Sequence, residues 1–256
     1  MPNKKIRDNI RIKVAVSATD YKGIREIWDE QFPADAEYQE NVFATILPLC
    51  KTYIIHETDS SGKEGKILST ASLMPMKFID SCPKPVSTTN IRKIKGLYMF
   101  GVATRSGFEG KGYASRLINH AISELERNNY NFIFERPANQ DLKDFYLKFG
   151  FTKILKKKEC RFNAISSEPS NSGESDNYKI NNASECILKV LRTFPKRFEW
   201  ESSELLENLI KLGEIERHHE LLTPESLQEE CYIAVKPLND TPESTFDDAF
   251  FCFPLE

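Results

Sequence analysis

Val102-Ala-Thr-Arg-Ser-Gly-Phe-Glu-Gly-Lys-Gly-Tyr-Ala-Ser-Arg-Leu117 decides how this chain folds, because a β-rich run enters a turn holding three glycines and leaves it as a helix. Gly107, Gly110 and Gly112 can adopt positive φ or admit a ligand close to the backbone. Consecutive N–H groups of such a turn can converge on one phosphate, and the helix N-terminus adds its partial positive charge. The turn therefore reads as an anion site whose natural guest is a phosphorylated cofactor. Beyond it, Ala114, Leu117, Ile118, Ala121, Ile122 and Leu125 recur at helical spacing, the apolar stripe of a helix packed on a sheet.

Two commoner phosphate motifs fit less well. A P-loop needs G-x-x-x-x-G-K-[ST], whereas Gly107 and Gly110 lie three apart and Gly112, not Ser or Thr, follows Lys111. A dinucleotide fingerprint reads G-x-G-x-x-G; here the order is reversed, although Glu135 ends the next strand about where a ribose-binding acid would stand. A tight turn with no ligand is the bland alternative. Three glycines ahead of a helix carrying Lys111 and Arg116 weigh against it.

The wider segment resembles the Gcn5-related N-acetyltransferases (GNAT). Glu109-Gly-Lys-Gly-Tyr-Ala114 is similar to their acyl-CoA pyrophosphate loop, [QR]-x-x-G-x-[GA], at Gly112 and Ala114, and departs from it at Glu109. Asn139-Gln-Asp-Leu-Lys-Asp-Phe-Tyr-Leu-Lys-Phe-Gly-Phe151 is similar to their second signature, an Asn seven residues before a Tyr, then Gly-Phe entering a strand. The resemblance is strongest from about Gly96 to Phe162, generic from Asn9 to Met76 and faint beyond residue 180.

The resemblance implies an α/β fold: a mixed, mostly antiparallel sheet flanked by helices, with a small α+β C-terminal piece. It implies acetyl-CoA as co-substrate, no metal, and direct transfer of acetyl to a primary amine in a ternary complex. The pantetheine arm would lie along Met99 to Ala103, with the main chain of Phe100, Gly101, Val102 and Ala103 aligning it and supplying an oxyanion donor. Glu109, Gly110, Lys111, Gly112, Tyr113, Ala114 and Ser115 would hold the pyrophosphate, and Asn139 would stand beside the cofactor. Tyr146 matches the tyrosine that protonates the leaving thiolate, and a phenol of pKa about 10 suits that task. Phe145, Phe149 and Phe151 crowd the same segment, so Tyr146 also reads as a core aromatic.

Two carboxylates are candidates for the base. Glu135 is the best placed internally, although a strand-end Glu beside Arg136 also reads as a solvated pair. Glu256 is the other, because one branch of the family brings its terminal carboxylate to the active site. Glu109 puts negative charge near a pyrophosphate, about 1 kcal/mol of repulsion at 4 Å in water. Arg105, Lys111 or Arg116 could offset it. The competing function is a CoA-binding regulatory or scaffold protein without turnover.

Composition agrees with a soluble enzyme: 256 residues, 40% hydrophobic and 29% charged, enough for one core and a fraction of a second. A net charge of -3 creates no field for nucleic acid or anionic lipid, and no apolar run approaches a membrane span of ~20 residues. Met1-Pro-Asn-Lys-Lys-Ile-Arg lacks the apolar core of a signal peptide, so a cytoplasmic monomer or homodimer acting on a small-molecule or peptide amine is expected. The six cysteines have no C-x-x-C pair, and the adjacent His218 and His219 point about 100° apart on a helix, so no metal site is expected.

Along the chain, Ile10 to Ser17 alternates as a strand, Asp20 caps a helix to Phe32, and a second helix spans Ala36 to Leu49. Thr52 to His56 and Lys66 to Phe78 form an antiparallel hairpin; Leu97 to Thr104, the helix and Asn131 to Glu135 form a βαβ crossover. The expected division is a catalytic domain over 1–164, a Ser-rich linker over 165–182 and a C-terminal domain over 183–256. The last contains helices at Ser184 to Phe194 and Ser203 to Glu216, a helix start at Thr223-Pro224, and strands at Cys231 to Val235 and Phe250 to Phe253.

Overall fold

Local sequence sets the first helix. Ser17 is its N-cap, and the Ser17 hydroxyl accepts the Asp20 N–H at 3.1 Å while the Asp20 carboxylate accepts the Ser17 N–H at 3.1 Å. The cap is thus Ser17, with Asp20 at the third position of a reciprocal box, not Asp20 itself. This helix, α1 (Ala18–Gln31), buries Ile24, Ile27 and Trp28. The structure is a computed structural model that describes residues 9–33, 36–81, 92–156, 196–211, 232–247 and 249.

The sheet is built from β1 (Ile10–Val14), β2 (Lys51–Thr58), β3 (Glu64–Asp80), β4 (Arg92–Thr104), β5 (Phe132–Glu135), β6 (Lys153–Lys156), β7 (Lys196–Trp200) and β8 (Tyr232–Pro237). The strands run in the order β1-β2-β3-β4-β5-β8-β6, with β7 paired to the far end of β3. Every pairing is antiparallel except β4 with β5, which the crossover helix α3 (Tyr113–Arg127) joins in parallel. The expected mixed, largely antiparallel α/β sheet flanked by helices is what forms.

Two differences concern single elements. The stretch expected as one helix over Ala36 to Leu49 is broken into α2 (Ala36–Asn41), a π turn (Val42–Ile46) and a 3₁₀ turn (Leu47–Leu49), with Pro48 ending the regular ladder. More consequential is β8, which fits between β5 and β6 and pairs with both. Strands drawn from beyond the Ser-rich stretch therefore belong to the same sheet as those before it. The linker itself, the helix at 184–194, the turn at 223–224 and the strand at 250–253 lie outside the described residues.

Alternation along the strands assigns each face. Tyr98, Phe100, Phe132, Phe134 and Phe198 join α1 and the helix α5 (Ser203–Lys211) in one core. Leu97, Met99 and Ile133 join α3 and the helix α4 (Gln140–Leu147) in the other. Along β4 the alternation slips: Ser72 faces Phe100 and Thr70 faces Ala103, so Gly101 and Val102 together oppose Ala71. This is a β-bulge, with Gly101 at φ +58, and it returns Ala103 to the same face as Phe100.

Candidate active site

The bulge coincides with a parting of strands. β4 and β5 pair from Gly96 with Phe132 to Met99 with Glu135, and among the described residues β4 continues alone on that side to Thr104. A strand edge inside a sheet normally loses its N–H and C=O groups to a neighbour. Phe100 to Ala103, the residues expected to align a pantetheine arm, have no β5 partner on this edge. Gly101 is required there: a Cβ built on it would overlap the ring of Trp28, and its φ lies in the left-handed region.

From Thr104 the chain enters the glycine turn. Gly107, Gly110 and Gly112 have φ of +80, +72 and +80, and a Cβ on any of them would meet nothing within 4 Å. The first two observations together mean that backbone conformation, not crowding, selects glycine and leaves space above the turn. Gly112 is the N-cap of α3 and supplies no side-chain cap, so the N–H groups opening the helix have no side-chain acceptor of that kind. Such an end favours a bound anion.

The turn is tied to the end of α1. The Ser106 N–H donates to Glu30 at 2.8 Å, and Gln31 Nε2 donates to the Ser106 hydroxyl at 3.1 Å and to Glu109 Oε1 at 3.3 Å. Glu109 Oε2 accepts the Gly107 N–H at 2.7 Å. The Glu109 carboxyl is held below its ordinary pKa, chiefly by its own N–H and then by those around it and by Gln31. Arg105, expected as a possible counter-charge for Glu109, is instead buried against α1: it pairs with Glu26 at 2.9 Å and Glu30 at 3.0 Å, and its Nε donates to the Ile67 carbonyl at 2.8 Å. Lys111 lies over the Phe108 ring, its Nζ 4.5 Å from the centroid.

Two titratable groups lie on the α3 and α4 side of the opening. Glu135 ends β5 on the same face as Ile133 and is 1% exposed, with Oε1 buried and without a hydrogen-bond partner among the described residues. Burial pushes its carboxyl up to about 9, so it holds a proton at neutral pH. It is no solvated surface pair. Tyr146, 7% exposed on α4, has its phenol raised by burial, then by the charges of Glu135 and Tyr98. Tyr146 also packs edge-on against Phe145 and Phe151, as a core aromatic does.

A family model, that of the acetyltransferase (GNAT) family, matches residues 21–151. The chain belongs to the GNAT family. Solved structures are similar at low identity. One is a conserved protein of Enterococcus faecalis V583, 15% identical, TM-score 0.45, with 57% of this chain and 33% of that one covered. Another is the GNAT family N-acetyltransferase YhbS of Escherichia coli in complex with CoA, 17% identical, TM-score 0.40, with 56% and 68% covered. The match thus spans about a third of the Enterococcus protein. No curated protein matches in sequence.

In this GNAT chain the residues singled out from sequence fall on connected elements. Gly110 to Ser115 lie on the turn and the start of α3, Phe100 to Ala103 on the unpaired edge, and Glu135 and Tyr146 on the face beside it. Asn139 is the N-cap of α4, its Oδ1 accepting the Leu142 N–H at 2.9 Å. Glu256 lies outside the described residues. Gln31, Glu30 and Ser106 escaped the sequence analysis, since nothing local couples residues some 75 apart. Among the described residues no group of His, Cys, Asp and Glu could hold a metal ion, and no helix is long and apolar enough to cross a membrane.

Proposed function

We propose that the protein is an acetyl-CoA-dependent N-acetyltransferase that moves an acetyl group to a primary amine by direct transfer in a ternary complex. The opening between β4 and β5 carries this proposal: an unpaired main-chain edge leads straight into a glycine turn and the uncapped start of α3. Acetyl-CoA enters as substrate. N–H groups from Gly110 to Ser115 take its pyrophosphate, and Phe100 to Ala103 align the pantetheine and offer an N–H to the developing oxyanion.

The chemistry then needs two proton movements. The amine nitrogen attacks the thioester carbon, the C–S bond breaks, and the thiolate takes the proton of the Tyr146 hydroxyl. The amine gives up its proton to a carboxylate. Glu135 is our candidate, and with a pKa of about 9 it is a stronger base than an exposed Glu but is ionised in only a fraction of molecules at neutral pH. Glu256 is the second candidate. The acceptor is a small-molecule or peptide amine in the cytoplasm.

Thiol release from acetyl-CoA, followed against polyamines, amino acids, aminoglycosides and short peptides, tests the proposal. Amine-dependent release is expected. Binding of acetyl-CoA without release on any acceptor would favour a regulatory CoA-binding protein of the same fold.

A further inference from the structure

Glu109 stands where a charge of phosphate's own sign is least expected, yet both of its carboxylate oxygens accept hydrogen bonds from the protein. One oxygen accepts the Gly107 N–H at 2.7 Å and the other accepts Gln31 Nε2 at 3.3 Å. Gln31 Nε2 also donates to Ser106, whose own N–H is held by Glu30. These contacts run from the last turn of α1 across to the glycine turn, and all of them lie upstream of Gly110. The carboxylate therefore points back along the turn, towards α1 and away from the N–H groups of Gly110 to Ser115.

Gly107 has φ +80, and the segment from Gly107 to Gly112 contains three glycines in the left-handed region. Such a segment loses much conformational entropy when it is ordered. A charged acceptor bridging its first glycine to a helix restrains it before any ligand arrives, which lowers the cost of binding later. We propose that Glu109, held by Gln31, is a positioning residue that pre-forms the glycine turn for the pyrophosphate of the acyl-CoA. This rests on the acyl-CoA site proposed above.

The opposite role is repulsion, in which Glu109 merely weakens the phosphate site. Two variants separate the roles. Glu109→Ala removes both the charge and the hydrogen bonds; Glu109→Gln removes only the charge, and its carboxamide oxygen can still accept the Gly107 N–H. Gln31 can turn its amide to match, because the Ser106 hydroxyl is able to donate as well as accept.

Calorimetric titration with acetyl-CoA, and KM and kcat with the best acceptor, are the measurements, with thermal unfolding to confirm that each variant is folded. Positioning predicts that Glu109→Ala raises Kd and the KM for acetyl-CoA about tenfold, the scale of a lost hydrogen bond to a charged group, with the loss falling on KM rather than kcat. Glu109→Gln should recover most of it, and Gln31→Ala should show a smaller loss that does not add to that of Glu109→Ala. Hydrogen exchange supplies a readout free of cofactor: the Gly107 amide should exchange faster in Glu109→Ala than in the unmodified protein.

Tighter binding in both Glu109 variants, or unchanged binding and unchanged Gly107 exchange in Glu109→Ala, overturns the positioning role. Failure of the unmodified protein to bind acetyl-CoA would instead remove the acyl-CoA reading of the turn.

Discussion

Met99 and Glu135 are the last facing pair of the two parallel strands, and past them β4 and β5 share no register. The pair ties the opening to its chemistry, because Glu135 is both the residue at which pairing ends and the buried carboxyl beside it. The side chain of an acidic residue there is shut away from water. Its Oε1 has no hydrogen bond among the described residues.

Glu135→Gln follows from that burial. The folded pKa of about 9 lies above the ordinary 4.5, so between those values the unfolded chain releases a proton that the folded chain keeps. Stability therefore falls as pH rises from about 4.5 to 9, by roughly 3 kcal/mol at pH 7 relative to acid. Gln carries no such penalty. Urea unfolding should show Glu135→Gln gaining stability over the unmodified protein steadily between pH 5 and 9, and an equal difference at both ends would exclude the shifted carboxyl. With Glu135 as base, kcat should rise towards pH 9 and lose that rise in the variant.

Tyr146→Phe keeps the ring among Phe145 and Phe151 and removes only the hydroxyl. Acetyl-CoA affinity should hold by calorimetry while kcat falls about 10²-fold, the usual scale of lost general-acid help. Equal rates would leave Tyr146 a packing residue.

Gly112→Asp places a side chain and a charge in open space above the uncapped start of α3, at a backbone φ of +80. Acetyl-CoA affinity should fall by on the order of a hundredfold, as strain and repulsion at a phosphate nest combine. Gly112→Ala is the control that carries the strain alone. Calorimetry giving the same Kd for Gly112→Asp as for the unmodified protein would detach the turn from the cofactor.

Gly101→Val should be costly to fold rather than selectively harmful to binding. Its side chain would collide with Trp28 and force φ away from +58, so a loss of about 2–4 kcal/mol in urea unfolding is expected. A stable variant with normal β4 geometry would show that the bulge does not depend on glycine.

What the sequence made legible was local. The stripe from Ala114 to Leu125 names α3 because a helix packed on a sheet needs that period, and the turn before it is punctuated by its glycines. Asn139 and Tyr146 stood out only through the resemblance, and the short helix that Asn139 caps and Tyr146 lies on was not anticipated. What stayed hidden was long-range. The slot of β8 depends on pairing Ala234 with Glu135 and with Ile154, which no run of residues announces. β7, Lys-Arg-Phe-Glu-Trp, was not anticipated either, since five residues carry too little alternation to stand out. The Gln31 to Glu109 contact joins the end of one helix to a distant turn, and hydrogen bonds of that kind leave no periodic trace.

The position of β8 sets a timetable for synthesis. β6 leaves the ribosome beside an empty lane, because the strand that belongs between it and β5 lies about 75 residues downstream. At ribosomal speeds that is a wait of roughly 4 to 15 seconds, far longer than a small domain needs to collapse. Throughout it Phe134 and Glu135 keep one flank bare. A nascent chain halted inside this interval would present that flank to any passing strand, and release of Tyr232–Pro237 is the event that seals it.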